Sequence, residues 1–345
     1  MPGWIDRLLG RESKSGVPRA LYELARNTAV NRIVRDVQGL VRTGYERNAI
    51  VHRCVRLIAE AAASRTLASP GPAAQLLAGP NPDQSGPEFW ESFYGHLILA
   101  GNAYVELSTL EGRPREMYVL RPDRVRAVPG VRGWPQLYEY RAGEHKRVFE
   151  RDPVTQRSAL FHMRLFSPAD DAYGYSPLQA AAAALDLHNA GGRWAKSLLD
   201  NAARPSGALV VDNADGRLSV EQYERLKSEL GETHSGPENA GRPMLLEGGL
   251  DWKPMSLTPA DMDFVQARRE AAREIALALG VPPLLLGLPG DNTYANYVEA
   301  NQAFWSQTID PLVDKTAAAL TVWLRPWLGR ATQVTAAHRG GGDDG

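Results

Sequence analysis

The chain has 345 residues, 43% of them hydrophobic and 23% charged, with a formal net charge of -1. That length supports about two domains with an ample core, and the balanced charge gives no bulk attraction to nucleic acid or an anionic membrane, which argues against a protein that coats DNA. The single cysteine, Cys54, excludes an intramolecular disulfide and a multi-thiolate zinc site, and suits a reducing compartment.

The charge is unevenly spread. Residues 1–50 carry nine Arg/Lys against five Asp/Glu, whereas residues 201–300 carry nine against fifteen, a local -6. Residues 1–46 lack dense apolar periodicity and are expected to form a mobile basic arm, with Leu21, Leu24 and Val30 suited to a short helix. No segment reaches the ~18 consecutive apolar residues of a membrane span, so a soluble, unsecreted protein with no membrane partner is expected.

From Arg47 to Arg65 the positions Ile50, Val51, Cys54, Val55, Ile58, Ala59 and Ala62 recur at helical spacing and predict a buried helix. Ser69-Pro70-Gly71-Pro72 marks its end. After the turn-rich stretch GPNPDQSGP, Ser85 is a candidate cap for a helix carrying Phe89, Phe93 and Leu97. The period then changes: residues 102–110, 116–120, 124–128 and 137–140 alternate or run apolar with β-branched and aromatic side chains, which predicts a small antiparallel sheet.

Ser176-Pro177 opens a second helical block that runs to about Asp200, its alanine-rich face interrupted by Gly191-Gly192. Strands at 207–211, 244–246 and 252–255, with a helix over 219–230, make a compact α/β insertion. Thr258-Pro259-Ala260-Asp261 starts a further helix. Gly280 and Pro282-Pro283 stop it hard, because glycine takes the left-handed conformation that ends a helix and proline supplies no amide donor to continue one. An apolar turn and a polar loop lead into another helix that carries Phe304, Trp305, Ile309, Leu312 and Leu320, with Pro311 expected to kink it.

Chemistry-bearing patterns are sparse. The glycine spacing at Gly231–Gly236 is followed by Pro237 and Glu238 instead of the Lys and Ser/Thr of a phosphate loop. His52 and Cys54 lie two apart on a helix, where side chains diverge. Asp261 with Asp263 suits a helix start and Asp170 with Asp171 a loop. Neither Ser176 nor Ser206 sits in a G-x-S-x-G motif. No cofactor, metal or catalytic residue is assigned, and a non-enzyme is expected.

Several segments in a fixed order carry a resemblance: RNAIVHRCVRLIAEAAAS, LLAGPNPDQSGPEFWESFYGHLILAGNAYVEL, PREMYVLRPDRV, YGYSPLQAAAAAL, ARPSGALVV with LSVEQYERLKSEL, NAGRPMLLEGGLDWKPMSL, and the run from Asp263 through Pro311. Across residues 47–325 the chain resembles the portal proteins of long-tailed phages, also found in prophages and gene-transfer particles. The resemblance implies an α+β portal fold: wing at 47–175, first stem helix at 176–204, clip at 205–257, second stem helix at 258–280, tunnel loop at 281–296, wing return helix and short crown at 297–328, and a disordered tail at 329–345. The crown is short or missing.

The same resemblance implies a homo-oligomeric ring of about twelve subunits, double-stranded DNA in transit, and docking of terminase, a head-completion or adaptor protein and the major capsid protein. The location implied is the capsid vertex of a virion, reached from the host cytoplasm during assembly. In the tunnel loop, Asp291, Asn292, Thr293 and Tyr294 are the expected DNA-facing tip, and Leu284, Leu285, Leu286 and Leu288 the packing base. Arg268, Arg269, Glu270, Arg273 and Glu274 are the candidate channel charges, the arginines either paired with acidic neighbours or forming a sparse phosphate-facing ring. Glu221, Glu224, Arg225 and Lys227 are the corresponding clip charges. The other readings are a DNA-processing enzyme with a dispersed active site and a related minor head protein.

Overall fold

A computed structural model describes residues 37–130, 134–200, 207–211, 219–233, 250–254, 259–288 and 293–337. It divides into two compact units, residues 1–180 with 276–345, and residues 181–275.

The first unit is built on helix α1 (Ala49–Ala63), capped by Asn48, whose side chain accepts from the amides of Ile50 and Val51 at 3.0 and 3.1 Å. Val51, Cys54, Val55, Ile58, Ala59 and Ala62 are buried, as their spacing predicts, while Ile50 is half-buried. Strand β1 (Leu67–Ala68) and helix α2 (Pro72–Ala78) follow. Helix α3 (Gly86–Ala100) opens with a reciprocal capping box between Ser85 and Glu88 and buries Phe89, Phe93 and Leu97 completely against α1.

The expected single sheet is two. Strands β2 (Asn102–Leu110) and β3 (Arg113–Leu120) form a hairpin, and β4 (Val125–Pro129), β5 (Pro135–Ala142) and β6 (His145–Glu150) form a separate meander. Strand β7 (Leu160–Arg164) returns to the free edge of β2, pairing Ala103 with Met163, to give the order β3-β2-β7. β6 and β7 escaped sequence reading because their apolar runs are short and interleaved with Arg, Lys and His.

At the exit from this sheet two backbones nearly touch. A Cβ on Gly174 would lie 2.1 Å from the carbonyl oxygen of Gly101, so only glycine fits there. The Asn102 side chain joins the segments, accepting from the Gly174 amide at 2.7 Å. That acceptor also fixes a tautomer: His162 Nε2 must donate to Asn102 Oδ1 (2.9 Å), leaving Nδ1 to accept from the Tyr138 hydroxyl (3.1 Å). Ser176 completes the exit, donating to the Ile98 carbonyl and capping the Leu178 amide of helix α4 (Pro177–Ala180).

The second unit contains helix α5 (Ala182–Asp200), strand β8 (Gly207–Val211), helix α6 (Val220–Thr233), strand β9 (Leu250–Pro254) antiparallel to β8, and most of helix α7 (Pro259–Ala278). Ser219 and Gln222 cap α6 reciprocally. The strand expected at 244–246 lies outside the described residues.

Helix α8 (Tyr294–Phe304) and helix α9 (Asp310–Leu328) belong to the first unit and are joined by a π turn, Trp305–Ile309. The kink expected at Pro311 is thus a π turn one turn earlier, in which the Asp310 amide reaches back to the Trp305 carbonyl. Widening the helix there moves the Gln307 carbonyl away from a proline ring that would otherwise collide with it. Helix α9 docks on β7 through Trp323, which stacks on Phe161 at 5.0 Å and donates to the Ser158 carbonyl.

Two boundaries need correction. The disordered tail expected from residue 329 does not hold at its start: Val334 is buried, its amide bonds Thr321 Oγ1 at 2.8 Å, and strand β10 (Thr335–Ala336) pairs with β1. Part of the mobile arm expected through residue 46 is folded: residues 37–45 are helical, and Gln38 bonds Asp123. Residues 1–36 and 338–345 lie outside the described residues.

Candidate functional site

The helix stop at Gly280 is built as its sequence implies. Gly280 has φ +71°, its amide donates to the Leu277 carbonyl at 3.0 Å, and the Val281 amide reaches the Ala276 carbonyl at 2.9 Å. These are the two bonds of a Schellman motif, which satisfies carbonyls that a helix end otherwise leaves orphaned. Leu279 and Val281 are buried on either side, so the stop is anchored by packing as well as by hydrogen bonds.

Pro283–Leu286 then form a single 3-10 turn, closed by Gly287 in the left-handed conformation. This turn packs against α1 and α8 of its own chain, and Leu284, Leu285, Leu286 and Leu288 are all half-buried. Part of the apolar surface expected at a subunit junction is therefore already covered within the monomer.

The loop is shorter than its expected span of 281–296, because α8 begins at Tyr294. Of the four expected tip residues, Asp291 and Asn292 lie outside the described residues. Thr293 is the N-cap of α8, its hydroxyl oxygen accepting from the Asn296 amide at 3.2 Å. Tyr294 is 85% exposed at the first helical position. Of the two described tip residues, then, Thr293 carries a structural duty and Tyr294 is presented outward.

Two contacts that the sequence did not disclose hold the far side of this loop. Thr308, within the π turn, donates its hydroxyl to the Gly280 carbonyl at 2.6 Å. Arg65, just past the end of α1, bonds Asp310 Oδ1 through Nη2 (2.8 Å) and Nε (3.2 Å) and lies 4.2 Å over the Trp305 ring. One guanidinium therefore clamps both ends of the π turn. Pro311 signalled an irregularity here, but a partner 245 residues away in sequence leaves no local pattern.

Within the second unit, the candidate charges on α7 are distributed unequally. Glu270 accepts from Arg273 at 2.8 Å and from Gln266 at 2.7 Å, so Arg273 has the acidic neighbour anticipated for it. Arg268 lies across α5, with its Nη2 3.8 Å from where a Cβ on Gly192 would stand. Partial burial, reinforced by the nearby Arg268 charge, holds the His188 pKa below its ordinary value. Arg269 and Glu274 are exposed. On α6, Lys227 pairs with Glu224 at 3.8 Å, both exposed, a contact of little energetic weight.

No group of three or more potential metal ligands occurs among the described residues. Asp170 instead accepts from the amides of Ala172 and Tyr173, and His52 Nδ1 bonds the Tyr45 carbonyl.

The sequence matches the phage portal protein family over residues 49–339. It is 43% identical over 289 residues to an uncharacterised protein of Rickettsia bellii (strain RML369-C), covering 81% of this chain and 74% of that one. Among solved structures, a chain from the neck of a native gene transfer agent particle, computed with C12 symmetry, is 50% identical; the match covers 88% of this chain and 84% of that one, with a TM-score of 0.69. A portal protein of the HK97 family from Corynebacterium diphtheriae, 15% identical with a TM-score of 0.61, covers 84% of this chain and 92% of its own and shares the fold.

Proposed function

The chain belongs to the phage portal protein family, and from that premise we propose that it closes head to tail into a ring of twelve at a capsid vertex and conducts double-stranded DNA along the ring's axis. Its role is that of a structural portal subunit, not an enzyme. The observation that carries the ring is the 50% identical relative in a neck computed with twelve-fold symmetry, which matches 88% of this chain. Head-to-tail contacts generate a closed ring when each subunit's rotation sums to a full turn. A virion vertex is the location this relative supports, with assembly in the host cytoplasm.

In this reading residues 47–175 form the wing, 176–204 and 258–280 the stem helices, 205–257 the clip, 281–293 the tunnel loop and 294–328 the return helix. Terminase, a head-completion protein and the major capsid protein are the proposed partners, the clip meeting the first two through the charged face of α6. The fifteen acidic against nine basic residues of 201–300 favour a passage to which DNA does not adhere, because every added basic contact to phosphate releases counterions and adds affinity. Glu270 neutralising Arg273 works in the same direction. Tyr294, exposed at the loop tip, is the side chain proposed to touch the duplex.

Electron microscopy of the purified full chain tests the reading. Rings with an axial hole wide enough for duplex DNA are expected; a monodisperse monomer at all concentrations would overturn it.

A further inference from the structure

One face of the first unit has a chemistry that the monomer leaves unused. A cavity of about 740 Å³ opens between β5, β7 and α9, walled by Trp134, Phe149 and Trp323 and flanked by Arg151 and Arg164. Two of its apolar lining residues are held out in solvent, Trp134 at 61% and Val322 at 70% exposure. Phe166, 81% exposed, lies two residues beyond Arg164, and Val154, 88% exposed, lies two before the lining residue Gln156. Isolated exposed apolar side chains need no explanation, but two that line one concave, cationic site mark a contact surface.

We propose that this cavity is a socket for the next copy of the chain in the ring, and that the segment it receives is the tip of the β2–β3 hairpin, Leu110 with Glu111. The inference rests on the ring reading above. A head-to-tail ring requires two different, mutually complementary patches on every subunit. The hairpin tip has the matching chemistry. Leu110 is 61% exposed, Glu111 directly follows it in the left-handed conformation (φ 52°), and residues 109–112 are all exposed. An apolar knob beside a carboxylate suits an aromatic socket flanked by two guanidiniums: the leucine fills the concave apolar centre, and the carboxylate meets the cations at its margin. Arg164 stacks on the Trp134 ring at 4.8 Å, which holds both a cation and an aromatic wall in place before any partner arrives.

Paired cysteines supply the test, since the natural Cys54 is buried and burial pushes its thiol up to about 12, keeping it out of the reaction. Leu110→Cys combined with Val322→Cys, both at exposed positions, is oxidised after assembly and run without reductant. A ladder of cross-linked species extending to twelve is expected, with neither single variant passing dimer. A charge reversal gives the second arm: Glu111→Arg should weaken ring formation at least tenfold in subunit concentration, and adding Arg151→Glu should restore most of it. Rings visible by microscopy without a ladder, or a disulfide confined within one chain, would overturn the socket and leave the ring reading standing. Absence of rings in the unsubstituted protein would overturn both.

Discussion

Thr308 donates its hydroxyl to the carbonyl of Gly280 at 2.6 Å, tying the π turn between α8 and α9 to the residue that ends helix α7. The two lie 28 residues apart and bracket the proposed DNA-facing loop. A loop fixed at both ends can present its tip in one position, and this bond closes the bracket.

Removing the bond should loosen the loop base without unfolding the chain. Thr308→Val keeps the shape and is expected to cost ~1 kcal/mol, seen as a lower denaturant midpoint and faster hydrogen exchange at the Gly280 and Val281 amides. Gly280→Ala should cost more, ~1–2 kcal/mol for the left-handed backbone alone, because its new Cβ would also stand only 3.0 Å from Thr308 Oγ1. Equal midpoints for both variants and the parent would contradict the bracket.

The Arg65 clamp predicts a larger loss. Arg65→Met leaves the partly buried Asp310 carboxylate without its guanidinium, and the cost should lie near the lower end of the ~3–5 kcal/mol for breaking a buried pair, since the Asp310 side chain is 26% exposed. Arg65→Lys should recover part of it, keeping the charge while losing the planar stack on Trp305. The check is denaturant unfolding of the two variants beside the parent; a cost below 1 kcal/mol for Arg65→Met would remove the clamp from the account.

Acid should weaken the first unit through His162. Burial, with the Arg164 charge adding to it, lowers its pKa from 6.5 to about 3, so between those values the unfolded chain binds a proton that the folded chain refuses. Stability is full above about 6.5 and falls as pH drops toward 3, by up to ~1.4 kcal/mol per pH unit from this group. His96, lowered by burial to about 4, acts in the same direction. His162→Gln should be less stable at pH 7 but show a shallower decline from pH 6.5 to 4.5 in urea unfolding; parallel curves would refute the assignment.

Reversing the acidic residues of α7 tests the passage. Glu270→Lys with Glu274→Lys removes an acidic partner of Arg273 and adds four units of positive charge per subunit. Rings should still form, while DNA packaging slows or stalls and binding of free duplex rises with a steeper salt dependence. Unchanged packaging with unchanged duplex affinity would place these side chains away from the DNA.

Tyr294→Ala separates contact from support. At 85% exposure the ring contributes little to the fold, so melting should shift by less than ~0.5 kcal/mol, while genome retention should fall. Thr293→Ala should instead cost ~1 kcal/mol as a lost helix cap. Normal retention in Tyr294→Ala would end the contact role.

Local chemistry made much of this protein legible in advance. The apolar spacing of Val51, Cys54, Val55 and Ile58, the capping serines Ser85 and Ser176, and the stop at Gly280 each act within a few residues, so each is written in consecutive sequence. The ordered segments from Arg47 onward carried the family. What only the tertiary structure decided depends on partners distant in the chain: β7 completing the sheet of β2, β10 pairing with β1, Arg65 holding Asp310, and Thr308 meeting Gly280. Pro311 announced that the helix around it must deviate, but the guanidinium that holds the deviation, Arg65 stacked on Trp305, lies 245 residues from Asp310, an interaction whose energy exists only once those distant segments have come together.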